Sequence, residues 1–440
     1  MNSSAGLAAG IPTTQDESHR ASLNAVYRKV AFKLVPFLFI LFFMAWIDRV
    51  NVGFTKLQMN EDLQFSNLIY GLGAGVFFIG YVLFEIPSNL ALMRYGAKKT
   101  LSRIAVLWGL ACIVTMFVKT PTQFYVVRFF MGAAEAGLWP GIVLYLTFWL
   151  PTTRSSKALA LIGCASSVSG ILGGPLAGLI MDNMGGLNGW HGWQWVFLIE
   201  GIPSVVLGIL AMWMLTDKPQ KADWLAPSEK QLLLDDLSRN GKALGEREES
   251  ISVALKSPEV WRLLFIYFCI IFGQSALVFW APSIIRDLGF TSATTIGYIV
   301  SGAFIVSVIA VILNGIHSDR TQEVRLHSGL AVLVGGLGCA AMGVFVMQGS
   351  KMAILALYVA LPGILCAIPV FWQLPNKILS GSAAAAGLAL INSMGNIGGF
   401  GAPFLMGAVK DATGEVTIAL WVAAAFLFIG AVMLLRQRRL

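Results

Sequence analysis

Apolar runs recur along the chain from residue 31 to residue 435, each closed by a short stretch holding charges, Gly or Pro. Each run approaches the ~20 residues that a helix needs to cross a bilayer core of about 30 Å. The pattern predicts about twelve spans: 31–56, 67–92, 100–118, 123–148, 157–181, 194–215, 261–285, 293–316, 328–348, 352–372, 383–408 and 415–435. Residues 216–260 break the pattern. They hold APSEKQLLLDDLSRNGKALGEREES, which is polar and reads as a partly helical loop between two sets of six spans. The first 28 residues are polar, with Asp16, Glu17 and His19, so the first apolar run is an uncleaved span rather than a leader. The expected organisation is a disordered tail (1–30), a six-helix bundle (31–215), the central loop (216–260), a second six-helix bundle (261–435) and a short tail (436–440).

Composition agrees. The 440 residues are 57% hydrophobic and 12% charged, against about 25% charged in a soluble domain. Mean hydropathy is +0.74. The net charge of +8 does not point to nucleic acid, because the basic residues sit mainly in short loops between spans. With the N-terminus inside, the outer loops hold only Lys56, Lys119, Arg286, Lys351 and Lys410. Both termini are therefore expected on the cytoplasmic side, with an even span count. Cys112, Cys164, Cys269, Cys339 and Cys366 lie in apolar runs with no CxxC, and the four histidines form no cluster. Neither a disulfide framework nor a metal or cofactor site is implied.

Four charges fall inside apolar runs: Asp48 and Arg49 in WIDRVNVGF, and Arg128 and Glu135 in RFFMGAAEAGLWPG. At mid-bilayer each costs about 2.5–3.5 kcal/mol on the insertion scale. Two acids and two bases in one half suggest an anion site with titratable neighbours. Arg128 and Glu135 are seven apart and share a helix face. Asp48 and Arg49 diverge by about 100°, so only one points straight at a central cavity. Arg49 offers a planar fork for a carboxylate, or else a static pair locking two spans. Glu135 and Asp48 are the candidate proton carriers. Gln274, Ser275, Trp372, Asn392 and Tyr81 add polar or aromatic groups at cavity level. Asn392 either binds a ligand or pairs with a neighbouring helix, since a buried amide needs a partner. Tyr81 and Trp280 can equally be packing aromatics. Glu85 reads as a gate or structural acid, and Glu200 as scaffold. The string GLGAGVFFIG has no preceding strand and no Lys-Ser/Thr, so it is no phosphate loop. GGPLAG suits close helix contact. No set of residues suits an enzyme.

The loops after the second and eighth spans carry RYGAKK (Arg94 to Lys99) and NGIHSDR (Asn314 to Arg320). These loops, the paired halves and the central loop resemble the major facilitator superfamily. Met93 stands where that family usually has Asp. The strings DRVNVGF, YVLFEIPSN, RFFMGAAEAGLWPG, WQWVFLIEGIPS and FWQLPNKILSGSAAAAGLALINSMGNIGGFGAP resemble its anion:cation symporter branch, nearest the bacterial tartrate and phthalate type. The resemblance implies an all-α integral membrane fold, twelve transmembrane helices in two six-helix bundles around a central cavity, rocking between access states. It implies proton-coupled import of a small carboxylate across a bacterial inner membrane by a monomer. Substrate binding falls to Arg49, Tyr81, Arg128, Gln274, Ser275, Trp372 and Asn392. Proton coupling falls to Asp48 and Glu135, and gating to Glu85, Arg94, Asp319 and Arg320. The resemblance also allows Arg128 to close a gate or tune Glu135. Sodium coupling, exchange, and a non-transporting sensor stay open, although a 45-residue loop is short for a signalling domain.

Overall fold

A computed structural model describes residues 14–240, 251–379 and 383–437. Parts of the expected tails (1–13 and 438–440), of the central loop (241–250) and of the span-11 string (380–382) lie outside the described residues. Among the described residues every regular element is helical. The first half holds α1 (Thr14–Asp62), α2 (Asn67–Tyr95), α3 (Ala97–Thr115), α4 (Pro121–Glu135), α5 (Leu138–Thr147), α6 (Thr152–Met184) and α7 (Gly192–Met214). Helices α8 (Pro227–Asn240) and α9 (Ile251–Lys256) occupy the central loop. The second half holds α10 (Pro258–Asp287), α11 (Ala293–Thr321), α12 (Val324–Met347), α13 (Met352–Phe371) and α14 (Gln373–Ile378). It ends with α15 (Ala383–Gly395), α16 (Ile397–Thr413) and α17 (Thr417–Leu435).

Ten of the described helical stretches are long and apolar enough to cross a membrane. Two more pack among them and complete twelve spans. Of these, α3 begins with Lys98, Lys99 and Arg103, and α15–α16 is interrupted at Asn396. Spans four, ten and eleven each comprise two helices: α4–α5, α13–α14 and α15–α16. The two halves repeat one packing scheme. In the first, span 1 lies on span 5 (α1 on α6), span 3 on span 6 (α3 on α7) and span 2 on span 4 (α2 on α4). In the second, α10 lies on α16, α12 on α17 and α11 on α13. The halves meet along two equivalent seams, α2 against α16 and α6 against α11.

Glycine makes both seams close. A Cβ on Gly71 would stand 2.3 Å from the Pro403 carbonyl oxygen, and one on Gly297 would stand 2.3 Å from that of Gly174. Small residues at such crossings let backbones touch where lipid supplies no hydrophobic drive. The GLGAGVFFIG and GGPLAG strings are thus the contact faces of α2 and α6.

At one end of the seams the halves are latched. Asp182, near the end of α6, accepts from Ser292 Oγ (2.8 Å) and the amides of Ala293 and Thr294, capping α11. Asp411, near the end of α16, accepts from the amides of Asn67 and Leu68 and from Asn67 Nδ2, capping α2. Arg286 of α10 adds bonds to the Leu57 carbonyl and to Glu61 of α1.

Residues 14–30 are helical, continuous with the first span, rather than a disordered tail. Leu23, Val26, Tyr27 and Val30 form a helical stripe against the first-half core. Helix α8 clamps that stretch: Lys29 meets Glu229 at 2.7 Å, and the Tyr27 hydroxyl donates to Asp236 at 2.5 Å.

Candidate functional site: an arginine–glutamate pair at a broken helix

Helix α4 stops at Glu135, and α5 starts three residues later. Ala136 is extended, and Gly137 adopts a left-handed φ of 83° that favours glycine. The break leaves Glu135 at a helix end. Gly132, one turn earlier, brings this end onto α2: a Cβ there would stand 1.9 Å from the Phe77 carbonyl oxygen. The corresponding span of the second half changes from α13 to α14 at Trp372. Broken helices in matching positions of two repeats mark the binding site of many transporters.

Arg49 of α1 reaches this break. Its Nε donates to Glu135 Oε1 at 3.1 Å, and Nη2 donates to the same oxygen. Glu135 Oε2 has no partner. The guanidinium sits 4.8 Å from the Trp46 ring and 5.2 Å from those of Phe77 and Tyr81. The Arg49 side chain keeps 13% of its surface exposed, while Glu135 keeps 1%. The pair is thus an aromatic-walled ion pair with one accessible edge on its cationic side.

The other expected residues divide. Tyr81 belongs to the Arg49 wall. Arg128 is fully buried against the Phe77 ring, 4.9 Å away. Its Nε donates to the Gly73 carbonyl at 3.4 Å, its Nη1 contacts Met131 Sδ, and its Nη2 has no partner. Asp48 does not share the Arg49 chamber. It points into the first bundle and accepts from Trp108 Nε1 (2.8 Å), Cys112 Sγ (3.4 Å) and Ser204 Oγ. The 100° offset from Arg49 sends it there. Nearby, Asn51 donates to Glu200 at 3.0 Å.

In the second half, Trp372 packs edge-on against Tyr267 (5.0 Å), which stacks on Phe371. Gln274 is part-buried and Ser275 is buried. Asn392 Nδ2 donates to Glu85 Oε1 (2.7 Å), and Ser393 Oγ to Glu85 Oε2 (2.5 Å). Glu85 therefore joins the halves directly, from α2 to α15. Arg94, Asp319 and Arg320 are exposed and outside the ion pairs found among the described residues. Asp319 accepts from Gln373 Nε2 at 3.4 Å. Where Met93 replaces the usual acid, Asp217 caps the start of α3 instead, accepting from the Lys98 amide at 2.9 Å. No three His, Cys, Asp or Glu side chains among the described residues come together as a metal cage would require.

The hydropathy pattern places Lys56 in an outer loop, but α1 continues to Asp62 and buries it. Its ammonium lies 3.3 Å from the Trp280 ring centroid and 4.7 Å from that of Tyr70. The available signal was its spacing: Lys56 is two helical turns after Arg49 and so on the same face.

The chain is 42% identical over 413 residues to a "Putative tartrate transporter" of Agrobacterium vitis, covering 93% of this chain and 90% of that one. It is 36% identical over 409 residues to a "Quinolone resistance transporter" of Acinetobacter baumannii, covering 93% and 94%. A solved structure of similar shape is the partially occluded inward-open xylose transporter XylE of Escherichia coli. The TM-score is 0.74 at 13% identity, over 93% of this chain and 100% of that one. The sequence profile of the Major Facilitator Superfamily matches residues 38–403. The chain belongs to that superfamily and is a multi-pass membrane transporter of small molecules, not an enzyme.

Proposed function

We propose that this transporter imports a small organic carboxylate together with protons, by alternating access across the bacterial inner membrane. The observation carrying this reading is the Arg49–Glu135 pair: one cation, one acid, and an exposed edge only on the cation. A substrate carboxylate arriving at that edge competes with Glu135 for the guanidinium. Glu135 then loses its cation inside a dry pocket, where an unpaired carboxylate is costly, and takes up a proton. Substrate and proton thereby bind cooperatively. Arg128, without a carboxylate partner of its own, supports Glu135 from the α4 side rather than forming the main substrate contact. Asp48 anchors the arginine-bearing stretch of α1, so Glu135 carries the coupling step.

The remaining groups have proposed places on the second half. Trp372, Gln274 and Asn392 present aromatic and amide surface toward the substrate body. Asn392 is shared with Glu85, so release of that bond accompanies inward opening. With both termini in the cytoplasm, the latched end faces outward and the described state is closed to the outside. The working unit is the monomer. The name of the Agrobacterium relative supports a hydroxy-diacid.

Proteoliposomes containing wild type, Arg49→Ala, Glu135→Gln and Asp48→Asn separate the roles. Tartrate, phthalate, galactonate and a fluoroquinolone serve as candidate substrates, with either a pH or a sodium gradient. Arg49→Ala should abolish both uptake and counterflow. Glu135→Gln should lose pH-driven accumulation and keep counterflow. Full pH-driven uptake by Glu135→Gln, or uptake driven by sodium alone, defeats the coupling scheme.

A further inference from the structure

The closed end of the seam holds a second charged pocket, two helical turns beyond Arg49 along α1. It has a volume of about 480 Å³ and is bounded by α1, α2, α10 and α16. Three cations line it: Lys56, Arg286 and Lys410. Two acids line it as well, Glu61 and Asp287. Arg286 pairs with Glu61, and Lys410 with Asp287 at 2.5 Å. The adjoining Asp411 is committed to the start of α2. Among the described residues, that leaves Lys56 as the cation of this pocket without an ion-pair partner.

Lys56 is also without any acceptor. Only 5% of it is exposed, and its ammonium has no hydrogen-bond partner. Its close contacts are two aromatic faces, Trp280 and Tyr70, with the Asp287 and Asp411 carboxylates acting at longer range. Cation–π contacts stabilise a desolvated ammonium only in part. Removing an ammonium from water costs several kcal/mol after relaxation, so the aromatic faces alone leave a deficit. Two more orphans line the same pocket: the Ser283 hydroxyl, 5% exposed, and the Asn60 Oδ1 acceptor, both unpartnered among the described residues. An unpaired ammonium and an unpaired hydroxyl that line one chamber are two donors available to one carboxylate group. Two donors suit two oxygens, and one net positive charge suits one negative charge.

We propose that the Lys56–Ser283 pocket is a second anion site, binding one carboxylate of a small acid where α1 and α10 meet. Its occupant bridges the halves, because Lys56 belongs to the first and Ser283 to the second. The acid satisfies Lys56 in the closed state and favours that state through this differential contact. That it takes the same class of acid as Arg49 rests on the function proposed above, whereas its preference for a carboxylate rests on Lys56 and Ser283.

The test uses purified full-length Arg49→Ala, in which the first site is disabled. Tryptophan emission is followed during titration with sodium acetate, sodium L-tartrate and sodium chloride at constant ionic strength. A carboxylate that draws Lys56 from the Trp280 face should give a saturable emission change with both acids. The change should disappear in Arg49→Ala/Trp280→Phe. Adding Lys56→Met should weaken the acids roughly tenfold or more, the effect of losing one hydrogen bond to a charged group. Adding Lys56→Arg should preserve binding, which separates loss of charge from loss of fold. Absence of a saturable change, equal affinity after Lys56→Met, or chloride binding as tight as acetate each overturns the proposal. Counterflow by Arg49→Ala vesicles reports separately on the central site: persistent transport there defeats the Arg49 reading and leaves the emission result standing.

Discussion

At the residue scale, the two intramembrane arginines make opposite predictions for stability. Arg49 is half of an ion pair whose acid is almost wholly buried. Removing one partner of a buried pair leaves the other uncompensated, at about 3–5 kcal/mol. Arg128 has no carboxylate partner and one wholly unpartnered nitrogen. A buried cation without a carboxylate partner is costly to hold, so an apolar replacement removes that cost. Melting in detergent should therefore fall for Arg49→Met and stay level or rise for Arg128→Met, with transport impaired in both. A fall for Arg128→Met as large as for Arg49→Met would show that Arg128 is a structural strut. The sequence alone exposes these two residues because charge inside an apolar run is conspicuous. It cannot say which of the neighbours Asp48 and Arg49 faces the seam. That depends on Trp108, Cys112 and Ser204, contributed by helices 60 or more positions away. The burial of Lys56 is hidden for a different reason: hydropathy marks where lipid contact ends, not where the helix ends.

At the element scale, the break between α4 and α5 sets the geometry of the site. Gly132 permits the approach to α2, and Gly137 permits the turn. A larger residue at Gly132 would drive α4 away from Phe77 and carry Glu135 from Arg49. Overpacking of this kind costs about 1–3 kcal/mol. Gly132→Leu should lower the melting temperature and abolish pH-driven uptake. Gly163→Ala is the matched control, since its Cβ meets only the Trp139 ring at 3.7 Å. Retention of full uptake by Gly132→Leu would show that the close α2–α4 contact does not position Glu135. The break itself is partly legible in GLWPG, where Gly and Pro crowd together. Its consequence is not, because Glu135 becomes terminal only when Ala136 leaves the helix. The helical start of α1 was similarly hidden. Its stripe of Leu23, Val26, Tyr27 and Val30 is short, and α8, which covers it, lies about 200 residues later.

At the scale of the whole molecule, the two halves are unequally fastened at their ends. The latched end has two equivalent caps, Asp182 on α11 and Asp411 on α2, each from span 5 of one half to span 2 of the other. Toward the opposite end, the cross-seam link identified is Glu85 with Asn392 and Ser393. Alternating access requires the first set to break when the second tightens. A side-chain cap on a helix start is worth about 1 kcal/mol, so removing both destabilises the latched state by about 2 kcal/mol. That shifts a two-state equilibrium by roughly thirtyfold. Spin labels placed at the latched end of α2 and α16 should therefore report a wider separation in Asp182→Ala/Asp411→Ala. Glu85→Ala should move the same distance distribution toward the latched form, because it frees only the other end. Each single aspartate variant should fall between wild type and the double variant, since the two caps sit on separate seams and their contributions add. An unchanged distribution in the double variant would mean that the glycine seams, not the aspartate caps, hold that end shut.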